Sequence, residues 1–175
     1  MTGLIRVTAV FLFSVYSFGA SLAQTTIPTR SSRVAFSVGL TYTMHLSFSE
    51  TVLYDKIFTN LGNGYNKQTG VFTCPVEGIY LFHLHAYDMN TDKAMWLELM
   101  HNNDFIVSVS GYSSHSSGGN TVILHLRIGD RIQVKGREQQ QFSLFGQQDE
   151  IYSTLSGFLL YPDDTSLHGA SPIVG

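Results

Sequence analysis

Two histidines raise the first chemical question. His83 and His85 stand two residues apart in the β-prone run from Ile79 to Tyr87, and side chains at that spacing leave a strand from the same face. Imidazoles so placed can chelate zinc, and a third donor from a neighbouring strand would complete an open site of the kind that also activates water. The competing reading is structural, with the rings packed and hydrogen-bonded inside an interface. Nucleophilic chemistry has less support. Ser113, Ser114, His115 and Ser116 crowd one segment, but its Gly- and Ser-rich surroundings read as a loop. There is no Gly-x-Ser-x-Gly elbow, no phosphate-binding glycine loop with lysine, no His-Glu-x-x-His and no EF-hand loop. No catalytic residue is assigned, and the protein is expected not to be an enzyme.

The elements that must position these residues are short strands. The chain has 175 residues with 10 Lys plus Arg, 13 Asp plus Glu and only 13% charged residues, about half the usual share. No basic cluster exists to neutralise a phosphate backbone or an acidic membrane surface, which excludes nucleic acid as a partner. With 12 Phe, 9 Tyr and 16 Gly, one packed, turn-rich domain is expected. Cys74 is the single cysteine, so no intrachain disulfide can form, and the thiol is expected to be buried and inert.

Residues 1–23 read as a signal peptide: Arg6, an apolar run from Val7 to Phe18, then Ser21-Leu22-Ala23 before a cleavage expected at Gln24. The run is too short for a spanning helix. Secretion is therefore expected, with no membrane span. Residues 24–33 form a polar leader, 34–163 the domain and 164–175 a tail. No Asn-x-Ser/Thr sequon occurs, so no N-linked glycan is expected.

Strands are expected at 34–40, 43–48, 52–58, 71–74, 79–87, 94–101, 105–110, 121–128, 131–135 and 154–161. Turn residues separate them, as at Leu61-Gly62-Asn63-Gly64, Ser117-Gly118-Gly119-Asn120 and Gly129-Asp130. Ten short strands point to an all-β antiparallel sandwich or jelly roll. Two of them are apolar on both faces. In 79–87 one face carries Tyr80, Phe82, Leu84 and Ala86, and the other Ile79, Leu81, His83, His85 and Tyr87. The last strand places Leu155, Gly157, Leu159 and Tyr161 opposite Thr154, Ser156, Phe158 and Leu160. A half-exposed antiparallel strand should alternate apolar with polar. One face belongs to the core. The other meets either a second copy of the chain or a further internal layer.

The spacing of Tyr54, Asn60, Tyr65, Phe72, Gly78, Tyr80, Phe82 and Leu84 resembles the signature of the globular head domain of complement component C1q. Tyr54 stands where the signature has Phe, and Leu84 where it has an aromatic residue. The strings from Thr59 to Tyr65, from Thr69 to Pro75 and from Ser153 to Asp163, which contains Gly157, resemble the family too. The resemblance covers roughly residues 33–163.

The resemblance implies an all-β, ten-stranded antiparallel jelly-roll sandwich, shared with the tumour necrosis factor superfamily and assembled as a homotrimer. Its interface would take Ile79, Leu81, His83, His85, His125, Phe158 and Leu160. In the family's sheet order the strand 121–128 lies beside 79–87, with Val122, Leu124, Leu126 and Ile128 on the core side, which puts His125 on the same outer face as His83 and His85 as a third zinc donor. Calcium is a second candidate, since some relatives bind it, and Asp88, Asp92 and Asp104 fall in turn-like segments. No cofactor is required. Recognition would fall to the loops 90–93, 111–120 and 137–152, with Tyr112, His115 and Asn120 as candidate contacts. In the third loop Phe142, Leu144 and Phe145 are expected to pin the chain to the sandwich. The expected function is lectin-like recognition of carbohydrate or microbial surfaces in innate immunity. The alternatives are an extracellular signalling or adhesion ligand for a host receptor, and a metal-binding or mineral-associated protein.

Overall fold

The structure is a computed structural model and describes residues 33–138 and 141–163. The expected signal peptide, nearly all of the leader and the tail lie outside the described residues. Twelve strands follow in order: β1 Ala35–Gly39, β2 Met44–Leu46, β3 Lys56–Leu61, β4 Tyr65–Asn66, β5 Val71–Thr73, β6 Gly78–Tyr87, β7 Met95–His101, β8 Asp104–Gly111, β9 Ser117–Leu126, β10 Arg131–Gly136, β11 Phe142–Leu144 and β12 Thr154–Pro162. Ten form two five-stranded antiparallel sheets, β3-β1-β12-β6-β9 and β4-β5-β10-β7-β8, while β2 and β11 make a separate two-stranded ladder. The crossovers between sheets are those of a jelly roll.

The inner faces follow the period-2 pattern of the sequence. Tyr80, Phe82, Leu84 and Ala86 of β6 are buried, as are Phe36, Val38 and Leu155 of its sheet and Leu97, Leu99, Ile132 and Val134 of the other. Six of the eight signature positions build the centre of this core. Phe36 stacks on Phe72 at 4.7 Å between centroids and on Tyr65 at 5.6 Å, and Phe72 meets Tyr80 at 5.8 Å and Phe82 at 5.9 Å. Such aromatic pairs each add about 0.5–1.5 kcal/mol beyond their area. Tyr65 donates to the Tyr54 carbonyl at 3.2 Å. Gly157 lies under the Phe36 and Phe82 rings, where a Cβ would stand 2.6 Å from each.

Asn60 has a different task. Its Nδ2 donates to the Tyr65 carbonyl at 2.9 Å, and its Oδ1 accepts from the Tyr65 N–H at 3.1 Å. One side chain thus fixes the backbone that leads from β3 into β4.

Four expectations about strands need correction. Residues 52–55 are not strand: Val52 and Tyr54 are fully buried, but here the chain crosses between sheets, with Val52 donating to the Val134 carbonyl at 2.8 Å, before β3 starts at Lys56. Residues 117–120, read as a turn, are strand. Gly118 pairs with Ala86 and Gly119 with His85, small residues being needed because a Cβ on Gly118 would lie 2.8 Å from Val109 of the facing sheet. Ile128 is 70% exposed rather than in the core, because β9 ends at Leu126 and the turn closed by Asp130 begins. The segments β4 and β11 were not expected. Phe142 and Leu144 pin their loop to the sandwich as expected, but as a strand paired with β2.

Candidate functional site

The outer face of the β3-β1-β12-β6-β9 sheet is the first surface of interest. Register runs straight across it: Leu61 opposes Ala35, Ala35 opposes Phe158, Phe158 opposes Leu81 and Leu81 opposes Ile123. Because opposed residues share a face, this is one apolar row across five strands. Ile123 is 59% exposed, Leu61 51% and Phe158 42%. A groove of about 600 Å³ lies over β3, β1 and β12, lined in part by Ala35, Leu61, Phe158 and Leu160. Leu160 sits at the bulge where the β12 register shifts between Leu159 and Tyr161.

A polar row flanks the apolar one, with Ser37, Ser156, His83 and Thr121 in register. Ser37 Oγ is 2.9 Å from Ser156 Oγ, and His83 Nδ1 is 2.8 Å from Thr121 Oγ1. His85 Nδ1 lies 2.8 Å from the Tyr152 carbonyl, to which it donates. His125 opposes Ile79 instead. That row is four residues of strand from His83, about 13 Å at the usual rise. All three histidines share the outer face, yet the structure does not bring them together, and the expected triad of zinc ligands is not formed. Sheet order was sufficient to place His125 on the right face but not at the right height.

The second surface lies at the end of the sandwich where β6 runs out. Of the expected loop 111–120, only residues 112–116 lie between β8 and β9. Tyr112 is 72% exposed and makes a T-shaped contact with Trp96 at 6.0 Å, and the Arg137 guanidinium lies 3.7 Å from the Trp96 ring centroid. His115, exposed and with φ +58°, places Nδ1 2.9 Å from the Tyr87 hydroxyl. Tyr87 packs against Tyr152 at 4.9 Å and Phe145 at 5.8 Å. The loop therefore carries one aromatic contact toward each sheet. Asn120 does not join Tyr112 and His115. It lies in β9, where Nδ2 donates to the Ser108 carbonyl at 3.2 Å and staples the two sheets. The serines of the loop bond one another, Ser113 N donating to Ser116 Oγ at 3.0 Å, and His115 is paired with a tyrosine rather than with a serine.

Of the expected loop 90–93, Asn90 is committed to the fold: it donates to the Ser143 carbonyl at 2.8 Å and accepts from the Ser143 N–H at 3.2 Å, copying a strand pair. Asp88 is fully buried, and desolvation raises its pKa. Asp92 and Asp104 are exposed. Among the described residues Asp88, Asp92 and Asp104 do not fall into one group of ligating side chains. The one grouping of three metal-ligating side chains among the described residues is Glu77, His125 and Asp163. Sequence reading missed it because Glu77 and Asp163 lie just beyond the ends of strands. Cys74 is 1% exposed. Its Sγ donates to the Val76 carbonyl at 3.1 Å, and burial pushes the thiol pKa up, away from thiolate chemistry.

Two five-stranded sheets, antiparallel ladders and an aromatic centre define a jelly-roll domain. The chain matches the C1q domain family over residues 35–160 and belongs to that family. It is 31% identical to Caprin-2 of Danio rerio over 140 residues, which are 78% of this chain but 15% of that protein. Among solved structures it is similar to the globular domain of zebrafish complement 1qA protein, with a TM-score of 0.61 and 23% identity, covering 74% of this chain and 99% of that one. Murine APRIL gives a TM-score of 0.59 at 17% identity, covering 73% and 99%. Eiger TNF from S. frugiperda gives 0.59 at 16%, covering 81% and 99%. At these identities the structural likenesses establish the fold. No helix of the described residues is long and apolar enough to cross a membrane.

Proposed function

We propose that the protein is secreted, assembles as a homotrimer through the outer face of the β3-β1-β12-β6-β9 sheet, and uses its loop ends to bind carbohydrate on microbial or other extracellular surfaces. The observation that carries this reading is the apolar row Leu61, Ala35, Phe158, Leu81 and Ile123, in which Leu61, Phe158 and Ile123 are exposed and Ala35 and Leu81 half-buried. A monomer would leave that row in water, and large contiguous apolar patches on soluble domains mark association surfaces. A closed cyclic trimer covers it by a heterologous contact, in which this face of one copy meets a different part of its neighbour. Leu81 and Phe158 are the central anchors, while His83 satisfies its own hydrogen bond within the subunit.

Assembly would repeat the segment 112–116 on one particle. Tyr112 offers a ring face and a hydroxyl, and His115 a ring edge beside the Tyr87 hydroxyl, a mixture suited to sugar rings and their hydroxyl groups. Three weak sites on one body gain avidity by effective concentration. Binding to glycan and lipopolysaccharide arrays tests the reading. The intact oligomer binds a defined glycan class, and Tyr112→Ala with His115→Ala weakens that binding at least tenfold while the oligomer persists. Arrays with no binding, or binding indifferent to both changes, refute it.

A second reading, a signalling or adhesion ligand for a host receptor, is favoured by the flank of the same surface. Trp96, Arg137 and Glu98, with Arg137 Nε 3.9 Å from Glu98 Oε1, have the aromatic and arginine composition of protein interfaces. Saturable binding to one host membrane protein, abolished by Arg137→Ala and without glycan binding, would decide for it.

A further inference from the structure

Three side chains on one edge of the outer face serve neither the core nor the proposed recognition loops. Ladder parity puts them together: His125 opposes Ile79 and Tyr161 opposes Ile79 from the other side. Glu77 lies two residues before Ile79, and Asp163 two residues after Tyr161. All three thus point to the outer face. The backbone locks the arrangement, with Asp163 N donating to the Glu77 carbonyl at 3.0 Å, and with Gly78 paired to both Pro162 and Leu126.

We propose that Glu77, His125 and Asp163 form a zinc site. Their donor atoms lie within 4.8 Å of one another, and His125 Nε2 is 2.8 Å from Asp163 Oδ2. Tetrahedral zinc with bonds of about 2.0–2.2 Å holds its ligands about 3.3–3.6 Å apart, so on binding the His125–Asp163 hydrogen bond opens by about 0.5–0.8 Å and the Glu77 carboxylate closes in. Within a single subunit Glu77 and Asp163 are half-buried and His125 is exposed, and three protein ligands leave the fourth tetrahedral position for water. The donor set decides the metal. Calcium and magnesium favour all-oxygen shells, whereas one imidazole with two carboxylates suits zinc. The two carboxylates also supply the negative charge that the earlier grouping of three neutral imidazoles lacks. Every donor comes from one chain, so the site does not depend on the trimer.

The test is isothermal titration of zinc chloride into chelator-treated full-length protein as purified, with native mass spectrometry for stoichiometry. One zinc per subunit is expected. His125→Ala and the near-isosteric Asp163→Asn each weaken binding at least tenfold with the apo fold intact by circular dichroism, while His83→Ala with His85→Ala leaves binding unchanged. Cobalt substituted for zinc gives a visible absorption band that Asp163→Asn removes. Absence of zinc binding, zinc binding indifferent to His125→Ala and Asp163→Asn, or loss of binding in the His83/His85 variant would each overturn the assignment.

Discussion

Replacing Gly78 by Ala tests whether one close backbone approach holds the end of the β12-β6-β9 ladder. At this residue φ is +153°, and a Cβ would stand 2.2 Å from the Tyr161 carbonyl oxygen and 2.8 Å from the Pro162 Cα. Both neighbours are backbone, so no side chain can turn aside. The end of β12 must move by about 1 Å, which weakens the pairing of Pro162 with Gly78 and the bond from Asp163 N to the Glu77 carbonyl. Overpacking costs about 1–3 kcal/mol and the unfavourable backbone conformation about 1–2 kcal/mol. Together these give an expected loss of about 2–5 kcal/mol. At about 2–4 °C per kcal/mol for a domain of this size, calorimetry should show the melting temperature falling by about 4–20 °C. Gly129→Ala is the control. Gly129 has φ +90° and nothing within 4 Å of a Cβ, so it isolates the backbone cost, and its melting temperature should fall by less than that of Gly78→Ala, by about 2–8 °C. A Gly78→Ala protein melting within about 2 °C of wild type, or no better resolved from it than Gly129→Ala, would refute the reasoning.

Two further outcomes follow from single side chains. Asn60→Ala removes both bonds to the Tyr65 backbone and should cost about 1–3 kcal/mol in urea unfolding at unchanged slope; a loss below about 0.5 kcal/mol would show that β4 does not need it. Asp130 accepts from Asn102 Nδ2 at 3.0 Å and from the Arg127 N–H at 2.9 Å, with His101 Nε2 at 3.0 Å, and these hold its pKa down at about 2. The charged form is thus favoured in the fold. Its contribution is present above the unfolded value near 3.9 and fades as pH falls toward 2. After discounting for solvent screening, Asp130→Asn should cost roughly 1 kcal/mol at pH 7, and the gap from wild type should close in acid; a gap of constant size across pH would contradict the assignment.

Where side-chain parity governs, the fold could be read directly from the sequence. Tyr80, Phe82, Leu84 and Ala86 against Ile79, Leu81, His83, His85 and Tyr87 came out as core and outer face because β6 is a long regular strand. The aromatic centre followed from the spacing of the signature. What could not be read depended on where chains cross or end. Tyr54 is buried without being in a strand because the chain changes sheets there. Asn120 looked like a loop residue because the glycines before it signal turns, whereas they serve the close approach of β9 to the facing sheet. The histidine triad failed on height along the strand, which sheet order alone does not fix. Glu77 and Asp163 carry no local signal, since only the β12-β6 register brings residues so distant in sequence to one point.

The central claim is that the apolar row on the outer sheet face is a self-association surface in a C1q-family protein. Sedimentation equilibrium of the purified protein at micromolar concentration, with Leu81→Glu beside wild type, tests it most directly. Wild type should sediment at three times the subunit mass, and the variant, whose charge would lie at the middle of the row, as a folded monomer. A wild-type monomer, or a Leu81→Glu protein that remains trimeric, would contradict the account.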